Sequence, residues 1–149
     1  MTSGTVPRSA PWAVLVAEDT PMVTVPRGLA KQRAATRALR DLPAAAPVVL
    51  VGAGAVNRAR LRRAADTAGV VLQHEYVVLP SISGGRYLVE DHPDTVAVLW
   101  QSLVTPPPGV TRGTALLSAL AAVGRSRLPW WMLGAVAPRL AVGCRGDRP

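Results

Sequence analysis

Pro47-Val-Val-Leu-Val-Gly-Ala-Gly54 decides how this chain is read. Four consecutive apolar residues, Val48 to Val51, three of them valine, mark a short strand buried on both faces, and the glycines that follow break it at once. The next periodic stretch is helical. Leu61, Ala64, Ala65 and Ala68 share one face, Arg58, Arg60, Arg62 and Arg63 supply the outside, Asn57 suits the N-cap and Gly69 the residue past the end. A buried strand that leads through a glycine turn into an amphipathic helix is half of a parallel β-α-β unit.

Upstream, residues 28–42 form the preceding helix, with Ala35, Ala38, Leu39 and Leu42 inward and Lys31, Arg33, Arg37 and Arg40 outward. Before it, Trp12-Ala-Val-Leu-Val-Ala17 reads as a first buried strand and Met22-Val-Thr-Val25 as a second short strand or extended loop. Residues 1–11 show no periodicity and are expected to be a flexible leader. Downstream, residues 70–79 alternate, with Val71, Gln73, Glu75 and Val77 against Leu72, His74, Tyr76 and Val78. A loop and Arg86-Tyr-Leu-Val89 complete an antiparallel hairpin. A helix over residues 94–104 would bury Val96, Leu99, Trp100 and Leu103; Pro106-Pro-Pro108 then acts as a stiff connector. Helices are expected over residues 114–123 and 130–137, the last ended by Pro138. The expectation is an α/β core over residues 12–105, a small mixed sheet with a parallel centre, an antiparallel edge hairpin and helices on its faces. A proline-rich connector and helical C-terminal tail follow over residues 106–149.

The chain has 149 residues, enough for one ordinary domain, with 49% apolar and 17% charged positions, so it can bury a core. Its single Cys144 excludes an internal disulfide and a thiolate zinc site. No export signal is read at the N-terminus, so a cytoplasmic location is expected. Residues 128–137 are apolar with Trp130 and Trp131 at one end, too few to span a bilayer. They read either as a core helix or as a surface that rests on anionic lipid through those tryptophans. The net charge is +8, with 16 of the 17 basic residues arginine. It concentrates on two helix exteriors and the tail: residues 27–63 carry nine basic side chains against Asp41 alone. Such a stripe suits phosphate or an acidic protein. Without interleaved aromatics for base stacking it argues against nucleic acid as the partner.

Three places carry candidate chemistry. Gly52-Ala-Gly54, between strand and helix, presents backbone N–H groups that can cradle a phosphate, and equally serves as a tight turn; Asn57 stands where a dinucleotide fingerprint has its third glycine. Glu18 and Asp19, at the carboxyl end of the expected first strand, sit where open α/β sheets hold ligands, or form a solvated turn with Thr20 and Pro21. His92, in a loop beside Asp91, is the better general acid or base of the two imidazoles; His74 reads as a strand-face residue. No histidine spacing fits a metal, and no Gly-x-Ser-x-Gly elbow occurs.

The run from residue 28 to 90 resembles the C-terminal half of class I S-adenosylmethionine-dependent methyltransferases. The likeness rests on the order of helix, Val48–Val51 strand, arginine-rich helix ending at Ala68-Gly69, long strand, Leu79-Pro80-Ser81 and final Arg86-Tyr-Leu-Val89. It implies a Rossmann-like sheet and S-adenosylmethionine as cofactor. The family's acidic, glycine-rich first loop has no counterpart before residue 28. The resemblance therefore implies a shortened relative that has lost the cofactor or is completed by a partner or second copy, with Glu18 and Asp19 alone placed to face its cleft. A noncatalytic accessory protein that uses its basic, tryptophan-containing tail on a partner or membrane is the alternative.

Overall fold

The structure, a computed structural model, describes residues 3–5, 11–17, 19–52, 58–79, 81–82, 87–104, 119, 122–124 and 126–146. Within them lie six strands: β1 Ser3–Thr5, β2 Pro21–Val25, β3 Pro47–Gly52, β4 Val70–Leu79, β5 Tyr87–Glu90 and β6 Arg139–Arg145. The described helices of two turns or more are α1 Leu29–Arg40, α2 Arg58–Ala68, α3 Pro93–Val104 and α4 Leu128–Val136. One mixed sheet has the order β1-β2-β3-β6-β4-β5; β2 and β3 run parallel and the other neighbours antiparallel. The mixed α/β architecture and the β4–β5 edge hairpin are those expected from the sequence.

Burial follows the strand and helix periods. Val48 and Leu50 of β3 meet Ala35 and Leu39 of α1 and Leu61, Ala64, Ala65 and Ala68 of α2 on one face. Val49 and Val51 point the other way, into a cluster with Trp12, Val78 and Leu140. Leu39, Leu50 and Leu61 are each no more than 1% exposed, and burial of each contributes roughly 1.5–3 kcal/mol. Gly69 ends α2 at φ +72°, the left-handed conformation expected of the residue past a helix end.

Four expectations are corrected. Residues 12–17 are not a strand: Pro11–Leu15 is a 3-10 turn in which Trp12 is buried and donates to Ile82 O at 2.8 Å, while Val14 and Leu15 are exposed. A six-residue apolar run has no periodicity long enough to separate these alternatives. Ser3–Thr5, read as part of the leader, pairs with β2 as the edge strand. In α3, Val96 is fully buried as expected but Leu103 is 58% exposed. The largest correction is at the C-terminus. The helix around Trp130 is present, but Arg139–Arg145 then enters the sheet between β3 and β4, so the stretch read as tail supplies a central strand. The continuous run Leu140-Ala-Val142 after Pro138 has the two-faced burial of such a strand, with Leu140 and Ala141 almost fully enclosed. The Pro106-Pro-Pro108 connector and most of the helix read over residues 114–123 lie outside the described residues.

The strict alternation read along β4 is broken by a bulge between Leu72 and His74, opposite Gly143 and Val142 of β6. One extra residue reverses the side-chain parity. Val70 and Leu72 therefore share the α1/α2 face, Tyr76 and Val78 take the opposite one, and Glu75 is delivered to the face beneath α2.

Candidate functional site: an arginine and tryptophan pocket

Arg139 opens β6 opposite Gly52, the last residue of β3. This is the carboxyl end of a parallel-paired strand, the end at which open α/β sheets hold ligands. Arg58 and Arg62, four residues apart on α2, project on one side of that helix. Arg58 Nε donates to Glu75 Oε2 at 3.3 Å and Arg62 Nε to Glu75 Oε1 at 2.6 Å, so the carboxylate re-aimed by the bulge spans both guanidiniums.

Asp91, in the turn between β5 and α3, is held by its N–H on Glu75 O at 2.8 Å. Its side chain has no exposed surface. It ion-pairs with Arg139 Nη1, lies 3.6 Å from Arg58 Nε, and accepts from Trp130 Nε1 at 2.8 Å. Trp130 in turn lies under Arg58, whose guanidinium carbon is 5.3 Å from the ring centroid, and meets Trp131 edge to face at 5.5 Å. Gly134 of α4 completes the wall: a Cβ there would stand 3.0 Å from Arg139 Nη2.

These groups enclose an open cavity of about 480 Å³, lined by Arg58, Ala59, Arg62, Trp130, Trp131, Gly134 and Arg139. Its charge does not cancel. Three guanidiniums face two carboxylates, and Arg139 Nε has no hydrogen-bond partner among the described residues although the residue is only 4% exposed. Burial, reinforced by Arg58 and Arg62 and opposed by Glu75, pushes the Arg139 pKa down from the ordinary arginine range to about 10. At neutral pH the guanidinium stays charged; Asp91 answers it, and the open Nε–H together with the surplus cation of the three-to-two cluster is what an anion in the cavity would meet.

Of the residues singled out in the sequence, Gly52 borders this site through its pairing with Arg139. Gly54 and Glu18 lie outside the described residues. Asp19 is exposed and, since residues 11–15 form a 3-10 helix in place of the expected strand, precedes the amino end of β2, the end of the sheet away from the pocket. His92 is exposed; its Nδ1 lies 3.5 Å from Asp94 Oδ2, and its neighbour Asp91 is the one turned inward. No group of three metal-ligating side chains occurs among the described residues. None of their helices is long and apolar enough to cross a membrane. Trp130 is committed to Asp91, whereas Trp131 is 67% exposed. Arg139 and Asp91 were overlooked in the sequence; a lone arginine inside an apolar strand run, which must find a carboxylate if buried, is the signal that points to them.

Comparison with known protein families, with curated proteins and with solved structures finds no match to this chain.

Proposed function

We propose that the protein binds a small organic anion in this pocket, its carboxylate or phosphate head on Arg58, Arg62 and Arg139 and a flat apolar body against Trp130 and Trp131. The observation that carries the reading is the buried Arg139, whose Nε–H finds no acceptor among the described residues, on the wall of a cavity of ligand size where three guanidiniums meet two carboxylates. A guanidinium with a free N–H in a desolvated setting forms charge-assisted hydrogen bonds, the strong kind, and the indoles add apolar contact without further charge.

The methyltransferase-like reading draws support from the parallel β2-α1-β3 unit and the β4–β5 hairpin. Charge argues against S-adenosylmethionine in this pocket: its sulfonium and ammonium outweigh its carboxylate, and it would meet a surplus of cation. The accessory reading, in which the tail rests on a membrane or partner, is left with Trp131 as its exposed indole.

Thermal melting with millimolar aromatic carboxylates, aryl phosphates and S-adenosylmethionine separates these readings. An organic anion present at about a hundred times its Kd adds about 2.7 kcal/mol, a rise in Tm of roughly 5–10 °C for a chain of this size. Arg62→Ala and Trp131→Ala, both at exposed positions, are expected to reduce that shift without lowering the unliganded Tm by more than a degree or two. No shift from any anion, or shifts indifferent to both substitutions, would overturn the proposal; a shift from S-adenosylmethionine alone would favour the methyltransferase reading instead.

A further inference from the structure

A second concavity, of about 690 Å³, lies between α1 and α2 and shares no lining residue with the pocket among the described residues. Its walls carry Arg27, Arg33, Arg37 and Arg40 on or just before α1 and Arg60 and Arg63 on α2, and among the described residues no carboxylate or aromatic side chain lines it. Arg40 ties the two walls together, its Nε and Nη2 donating to Thr67 O at 3.2 and 2.9 Å. This bond to a neutral carbonyl fixes the groove without cancelling charge. The pocket behaves differently: there Glu75 and Asp91 answer most of the positive charge.

The spacing says what kind of anion fits. Arg33, Arg37 and Arg40 step along α1 by about one turn each, roughly 4.5–6 Å per step, and Arg60 and Arg63 make a similar step on the facing helix. A single small anion reaches two or three of these groups; occupying the row takes negative charges repeated along a chain. Guanidinium forks pair with phosphate and carboxylate oxygens alike; what favours a phosphate chain is that its anionic groups lie in the backbone itself, whereas polyglutamate carries each carboxylate on a flexible stem that must be ordered on binding. With no ring to stack on among the described lining residues, bases would add nothing; that is the feature that argues against nucleic acid in the sequence, so a nucleic acid could be held here only by its phosphates.

We infer that the α1/α2 groove binds a linear chain of phosphates through their oxygens alone, supplied by inorganic polyphosphate or by the backbone of a single-stranded nucleic acid. This site is independent of the organic-anion pocket, and either can fail without the other.

The test is calorimetric titration of the full chain at low salt with inorganic polyphosphate, an oligothymidylate and polyglutamate of equal charge number. One or both phosphate chains are expected to bind at least about tenfold tighter than polyglutamate, and the tighter one identifies the source. A triple variant, Arg33→Ala, Arg37→Ala and Arg63→Ala, all at exposed positions, should weaken that binding about tenfold or more. For the oligonucleotide it should also flatten the slope of log affinity against log salt by about 2, some 0.7 for each phosphate contact removed. Lys31→Ala, about 200° around α1 from Arg33, should leave both unchanged. Circular dichroism of the variants verifies their fold. Polyglutamate binding as tightly as either phosphate chain, no binding of either chain, a triple variant that binds like the parent, or an equal loss in Lys31→Ala would each overturn the inference.

Discussion

A carboxylate with no exposed surface, Asp91, meets Arg139, Arg58 and the Trp130 indole N–H. Taking charges out of water costs several kcal/mol per ion, so Asp91 and Arg139 are tolerable only together. Asp91→Asn keeps the size and an oxygen for Trp130 but leaves Arg139 a buried cation without its anion. Urea unfolding is expected to show a loss of about 3–5 kcal/mol. The double variant Asp91→Leu with Arg139→Met should regain most of that loss, since an apolar pair of similar volume removes both desolvation costs. A loss below about 1 kcal/mol in Asp91→Asn would mean that the carboxylate does not hold the cation in place. Sequence alone did not distinguish Asp91 from its neighbour. His92 attracts notice because an imidazole titrates near neutral pH, yet the turn places His92 outward and Asp91 inward, a choice made by the N–H of Asp91 on Glu75 O. Gly52 was legible as part of a site because it ends the buried strand. Arg139 was not, because its partner lies 48 positions away in the numbering and reaches it only through the fold.

Among the elements, β6 bears most directly on the placement of the site. Its Gly143 lies against β4 at the bulge so closely that a Cβ would fall 2.4 Å from Val71 O and 3.2 Å from Leu72 Cα. Both atoms are backbone and neither can swing away. Gly143→Ala is therefore expected to cost about 1–3 kcal/mol as overpacking, read as a lower urea midpoint with an unchanged m-value. Because the bulge delivers Glu75 to Arg58 and Arg62, the same substitution should also weaken anion binding in the pocket, although Gly143 does not line it. Unchanged stability would show that the β4–β6 pairing yields without cost. The helices α1 and α2 and the strand β3 were legible to within a residue or two, since each buries one stripe or both faces over enough positions to show a period. The bulge was not legible: Val71 to Val78 alternates without interruption on paper, and only the register against β6 reveals the extra residue.

In the whole molecule, β3 and β4 do not touch as neighbours; β6 stands between them and pairs with both. The pairing of Leu50 with Ala141 closes a loop of roughly 90 residues, so the centre of the sheet forms only when the far end of the sequence arrives. The strand's last residue reaches further still. Arg145 Nη1 donates to Leu39 O at 3.2 Å, Arg40 O and Leu42 O at 2.6 Å, which satisfies carbonyls at the end of α1, and its backbone exchanges hydrogen bonds with Ala45 and Ala46. A chain that stops after Ala137 would thus lose the middle of the sheet, the cap of α1 and Arg139 in one step, whereas removal of a mere tail would cost little. Such a truncation is expected to show no cooperative thermal transition by circular dichroism, and its tryptophan fluorescence should shift toward that of solvent-exposed indole as Trp12 and Trp130 lose their surroundings. A peptide covering residues 138–149, added in excess, should restore part of the transition if the remaining strands keep some of their order. A truncated chain that melts cooperatively at the temperature of the full one would place β6 at the margin of the fold and remove the structural basis of the pocket with it.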